Sequence, residues 1–180
     1  MISKINVSSI ITAHIRTIRI VGKKGVDLWG VFFFFGLPAL IAFLFVFYFN
    51  LKLEGHISDL LTAVSIIGGF LFNLLAMIYS IIEKVKEKFP ENAVKNVYAK
   101  EIHSNIAFNI LLAMLCSLLL IIYSFDFNTN TLLSKLSYSI LLCNTLHNCL
   151  LWFNYFLLGC FFLNLLMILK RIFIILENND

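Results

Sequence analysis

The chain has 180 residues, 61% hydrophobic and 13% charged, with a net charge of +4 and a mean hydropathy of +0.93. A water-soluble domain of this size cannot hide that much apolar surface, so lipid is the expected solvent for most of it. No soluble domain is left once the apolar runs are set aside, and a single membrane domain over residues 1–180 is expected.

Residues 8–24 read as an amphipathic helix. Ile11, Ile15 and Ile18 share one face, while Thr12, Arg16, Arg19 and Lys23 repeat on another, with Lys24 close by. Two roles stay open for these cations: anchoring among anionic headgroups, or binding an anionic ligand through Arg16, Arg19, Lys23 and Lys24. The opening residues are not expected to be a cleavable signal, because the charged region is long and no small-residue cleavage site follows.

The first span is expected over residues 28–49. It contains Phe32-Phe33-Phe34-Phe35 and then Pro38, whose missing N–H should kink it. Four consecutive phenylalanines point all round a helix, so at least two must face lipid; Phe32 and Phe35 are candidates for an apolar gate in an oligomer. His56, in the short loop that follows, reads as a solvated side chain.

The second span, residues 60–82, carries no formal charge, and its small and polar residues are not scattered. Thr62, Ser65, Gly69, Asn73, Ala76 and Ser80 recur every three or four residues, which is one face of a helix. An amide and hydroxyls gain nothing from lipid, so the stripe should face protein or water. Thr62, Ser65, Gly69, Asn73 and Ser80 are therefore the candidate pore-lining or pore-supporting residues. The alternating charges of Glu83, Lys84, Lys86, Glu87 and Lys88 extend this helix past the bilayer to a break at Phe89-Pro90, and a short helix over 91–101 leads onward.

The third span is expected over 106–125, entered through His103, Asn105 and Asn109, with both amides on one face. The fourth lies within 137–169, an uncharged run longer than one bilayer; tilt, a break near Asn144–Asn148, or extension past the membrane would each accommodate it. Asn144, His147, Asn148, Asn154 and Asn164 lie in this run, and such amides serve either as interhelical hydrogen-bond partners or as an aqueous lining. The cysteines, Cys116, Cys143, Cys149 and Cys160, have no C-x-x-C spacing and read as small packing residues.

Basic residues fix an orientation. Twelve of the fourteen Lys and Arg fall before the first span, between the second and third, or after the fourth; only Lys52 and Lys135 fall on the other side. Both termini are thus expected in the cytoplasm. With spans drawn this way no acidic or basic residue lies inside one, which argues against a coupled transporter. The histidines 14, 56, 103 and 147 look isolated, and no phosphate-cradling glycine loop is present. No enzyme activity, cofactor or metal is expected. The expected architecture is an all-α, four-span transmembrane bundle with a short amphipathic N-terminal helix. It should assemble as a homo-oligomer, a tetramer being the form expected, with membrane lipid as its surroundings.

This plan resembles the small four-helix membrane effectors of bacterial antiphage defence systems, in particular the Hailong type. The likeness rests on the basic Arg16, Arg19, Lys23, Lys24 segment, the four spans, and blocks such as Leu71-Phe72-Asn73-Leu74-Leu75 and Asn105-Ile106-Ala107-Phe108-Asn109-Ile110. The resemblance implies an oligomeric ion channel in the bacterial inner membrane, held shut by single-stranded oligonucleotides from a partner nucleotidyltransferase and toxic when released. The membrane subunit of the Kiwa system is also similar and implies a non-conducting sensor or anchor. A holin-like lesion former is the third reading.

Overall fold

The computed structural model describes residues 7–18, 27–88, 93–124 and 139–177, and every regular element among them is helical. Four stretches are long and apolar enough to cross a membrane: Trp29–Tyr48, Ile57–Ser80, Lys100–Ser124 and Thr145–Ile174. With the short N-terminal helix Val7–Thr17, they make an all-α, multi-pass membrane protein.

The first span, residues 28–48, is not a regular α-helix. A π-helical turn over Phe32–Gly36 and another over Leu44–Tyr48 flank the α-helical Leu37–Phe43. Pro38 sits in the first turn after the upstream π turn, where its missing N–H is accommodated. Asp27 starts the span by accepting the Trp29 N–H at 3.1 Å. Asn50 ends it in the left-handed region, φ 49°, so that the Leu51 N–H reaches back to the Phe45 carbonyl at 2.9 Å. Gly55, at φ 88°, then turns the chain, and the His56 N–H closes on the Leu53 carbonyl at 3.0 Å.

The second-span helix runs Ile57–Lys88 and the third-span helix Ala93–Ser124, 32 residues each. The expected break at Phe89-Pro90 falls between them, outside the described residues. The fourth-span helix, Ser139–Glu177, has 39 residues and passes unbroken through Asn144–Asn148. No break accommodates its excess length. At about 1.5 Å per residue it reaches roughly 58 Å, well beyond a hydrocarbon core of about 30 Å.

The spans pack in the order second, third, fourth, first, with the N-terminal helix against the third. No extensive packing joins the first span to the second among the described residues. Half of the third span's apolar window is buried, against 17% of the second's, so the third is the central helix and the second an outer one. A bundle in lipid can leave outer faces open in this way, because lipid tails cover apolar side chains as well as leucine does.

Two apolar clusters fill the interior. The larger, near the N-terminal helix, centres on Ile102, Ile106, Phe108 and Phe161, with Phe34 from the first span. The smaller, at the opposite end, joins Val46, Leu53, Leu120, Tyr123 and Leu151. The first and fourth spans approach closely where Gly159 faces Pro38: a Cβ on Gly159 would lie 2.8 Å from the proline Cβ. Seven residues earlier on the fourth helix, the Trp152 indole N–H donates to the Ala39 carbonyl at 3.3 Å.

Candidate functional site

The second span presents the residues singled out by the sequence on its outer side. Its buried edge is Val64, Gly68, Leu71 and Ile78, while Thr62, Ser65, Gly69, Asn73, Ala76 and Ser80 are all exposed. At 100° per residue the stripe lies about 150° round the helix from that edge. The residues cost the protomer different amounts. The Thr62 hydroxyl donates to the Ser58 carbonyl at 2.8 Å and the Ser80 hydroxyl to the Met77 carbonyl at 2.7 Å, so both are satisfied within their own helix. Asn73 makes no hydrogen bond among the described residues. Ser65 and Gly69 edge a groove of about 420 Å³ between the second and third spans, where a Cβ on Gly68 would lie 3.4 Å from the Ala113 methyl. Of the two glycines, Gly68 makes the close helix contact and Gly69 faces open space.

The candidate gate lies elsewhere. Phe32 is exposed on the first span, edge-on to Trp29, whereas Phe35 is half-buried and edge-on to the core ring of Phe34 at 5.1 Å. Because the first and second spans stand at opposite ends of the row, one chain does not bring Phe32, Phe35 and the stripe together. Among the candidate ligand residues, Arg16 is exposed. Arg19, Lys23 and Lys24 lie outside the described residues.

A second polar region, inside the bundle, joins groups that are far apart in the chain. On the N-terminal helix Ile11 is exposed and Ile15 half-buried, while Ile10, His14, Thr17 and Ile18 turn inward at helical spacing. His14 is 0% exposed, its ring stacked on Phe108 with centroids 3.8 Å apart. Its Nδ1 lies 2.9 Å from Asn105 Oδ1, so with the amide oxygen as acceptor the imidazole carries its proton on Nδ1. The Thr17 hydroxyl lies 2.8 Å from the same Oδ1 and 2.7 Å from the His14 carbonyl, and its single proton serves one at a time. Asn164 Nδ2 donates to the Asn105 carbonyl at 2.9 Å from the fourth span. His14 is therefore not isolated, as its place in the sequence suggested. Burial, with the Arg171 charge nearby, pulls its pKa from 6.5 down to about 4, and the ring is neutral at physiological pH.

Arg171, counted on sequence alone among the cytoplasmic cations after the fourth span, is 9% exposed. Its Nη2 donates to the Thr17 carbonyl at 2.6 Å and lies 3.4 Å from Glu101 Oε2. The guanidinium thus caps the carbonyl end of the N-terminal helix, where a cation also suits the helix dipole. The expectation that the apolar segments hold no charged residue is corrected here: the third begins at Lys100 and the fourth reaches Ile174, and they include this largely buried pair. Pairing is what makes burial at the membrane boundary tolerable.

Polar atoms around this network lack partners. His14 Nε2, Asn105 Nδ2, Asn164 Oδ1 and both side-chain polar atoms of Asn109 are buried without a hydrogen bond. Each such group costs about 1–3 kcal/mol. Asn154, nearer the other end, fares better: its Nδ2 donates to the Leu150 carbonyl at 3.0 Å and the Leu119 carbonyl at 3.4 Å. At that end His147 lies against Tyr123, ring centroids 4.4 Å apart, with Glu54 3.9 Å from its Nε2.

Sequence reasoning missed His14, Thr17, Glu101 and Arg171 as one unit. The available signal was the spacing of Ile10, His14, Thr17 and Ile18, a face as regular as the one chosen. The described residues contain no cluster of His, Cys, Asp and Glu able to hold a metal ion. Compared with protein-family models, curated proteins and solved structures, the chain finds no match.

Proposed function

We propose that the chain is the subunit of a homo-oligomeric ion-conducting pore, with the polar stripe of the second span turned towards the axis. The observation that carries this reading is the placement of Thr62, Ser65, Gly69, Asn73 and Ser80 on the open side of an outer helix, about 150° from its buried edge. An amide bared to lipid costs several kcal/mol, and a neighbouring copy or a water column removes that cost. Basic-residue asymmetry favours both termini in the cytoplasm, and the resemblance to antiphage effectors suggests the bacterial inner membrane as its site of action. On that reading the open pore is toxic, and Arg16, Arg19, Lys23 and Lys24 gather into a cationic mouth that a short anionic oligonucleotide holds shut.

The test is planar-bilayer recording on the purified full-length protein. Discrete unitary currents whose conductance changes on Asn73→Leu are expected. Silence refutes conduction in favour of a membrane anchor or sensor. Irregular, growing leaks refute it in favour of a lesion former. Unitary currents unchanged by Asn73→Leu remove the stripe from the pore.

A further inference from the structure

Between the first and fourth spans, at the end of the bundle away from the N-terminal helix, the surface opens into a groove of about 700 Å³. Ala39, Phe43 and Phe47 line it from the first span and Trp152 from the fourth, with Thr145 and Asn148 one to two turns before that tryptophan. From Ala39 to Phe47 it runs about 12 Å along the helix. Its walls are fixed to one another. The Trp152 indole N–H donates to the Ala39 carbonyl at 3.3 Å, and the indole stacks on Phe156 with centroids 5.5 Å apart and planes 2° from parallel.

Every residue of this lining lies in a stretch apolar and long enough to cross the membrane, so the groove opens towards acyl chains. Its rim is bulky: Leu40, Phe43 and Phe47 are exposed. Helices that pack in lipid meet through small residues, as the groove between the second and third spans offers with Ser65, Gly68, Gly69 and Ala113. A rim of leucine and phenylalanine holds a neighbouring helix off and suits a thin, flexible chain. Asn148 adds a polar requirement. It makes no hydrogen bond among the described residues, and it lies three residues, about 4.5 Å, into the fourth apolar stretch. That depth is the boundary of the hydrocarbon core, where lipid chains join their esters.

We propose that this groove is a phospholipid site in the leaflet away from the N-terminal helix. One acyl chain lies along Phe47, Phe43 and Trp152, and the Asn148 amide donates to the ester carbonyl at which that chain begins. An apolar cleft with few, placed polar groups is the usual anatomy of a small-ligand site, and about 300–1,000 Å³ is its usual size. The proposal does not depend on conduction.

The protein carries its own reference probe, because Trp29 and Trp152 are its two tryptophans. Trp29 is 81% exposed at the other end of the first span and meets ordinary boundary lipid, whereas Trp152 lines the groove. Phosphatidylcholine brominated on its acyl chains, a contact quencher, is titrated into the full-length protein in mild detergent. Wild-type fluorescence should fall in two phases, and Trp29→Phe should keep only the phase that is complete at a lipid fraction about tenfold lower. In the Trp29→Phe background, Asn148→Leu should raise the half-quenching lipid fraction about three- to tenfold, the net worth of one hydrogen bond. Quenching of Trp152 only at the fraction that quenches Trp29 would make the groove ordinary boundary surface and overturn the proposal. No quenching of Trp152 at any fraction would overturn it in favour of a neighbouring copy in the groove. An unchanged midpoint in Asn148→Leu refutes the ester contact, and with it the site. A brominated single-chain detergent that quenches Trp152 at the same fraction as the phospholipid would show a cleft open to any alkyl chain, which also overturns it.

Discussion

Substituting Gly159 by alanine tests how the first span is seated. The added Cβ would stand 2.8 Å from the Pro38 Cβ and 3.5 Å from its Cα. Carbon pairs settle at about 3.5–4.0 Å, so the helices must separate by roughly 0.7–1.2 Å. The proline cannot yield by rotating a side chain, because its ring is part of the backbone, between two π turns. Overpacking of this kind costs about 1–3 kcal/mol, against about 0.5–1 kcal/mol gained from alanine's better helix propensity. Gly69→Ala is the matched control, since no atom lies within 4 Å of the methyl it would add and only the propensity gain applies. Reversible unfolding in mixed micelles, followed by circular dichroism, should therefore find Gly159→Ala less stable than Gly69→Ala by about 1–3 kcal/mol. Pro38→Gly removes the opposing Cβ, so the double variant should recover most of that difference as a coupling energy. Equal stability of the two alanine variants, or additivity of Gly159→Ala with Pro38→Gly, would refute the close approach.

Two further outcomes follow from the buried polar region. Asn109→Leu removes an amide with no partner at either atom and should stabilise the fold by about 1–3 kcal/mol, whereas Asn105→Leu strands His14 and should destabilise it by a similar amount; the same unfolding assay ranks them. Acid should loosen the N-terminal helix, because its histidine has a pKa of about 4 when docked and near 6.5 when released. The released state takes up the proton first, so the contribution of His14 is complete above about pH 6.5 and is lost as pH falls towards 4, by about 3 kcal/mol at most. Arg171 from the fourth span and Glu101 from the third face the same contact, and His14→Gln should remove the pH dependence between 4 and 7 measured by hydrogen exchange over residues 7–17.

Fold class and span count are properties of local composition, and they were legible. Runs of twenty or more apolar residues must become helices in lipid, since only a helix satisfies its own backbone there. The Thr62–Ser80 stripe was legible for the same reason, as a periodicity within one helix. Its outward direction was not: a helical wheel gives the angle between residues, and only the packing of Val64, Gly68, Leu71 and Ile78 on the third span says which angle points away. The inward face of the N-terminal helix was hidden for the same reason. Hydropathy ranks Ile11 above His14, but His14 is buried because Asn105, ninety-one residues later, accepts its proton and Phe108 stacks on its ring. Arg171 counts as a surface charge until Glu101 and the Thr17 carbonyl are placed beside it. Local pattern decides which segments cross the membrane; the pairing of polar groups across distant segments decides which of them can be buried, and that is settled only when the helices meet.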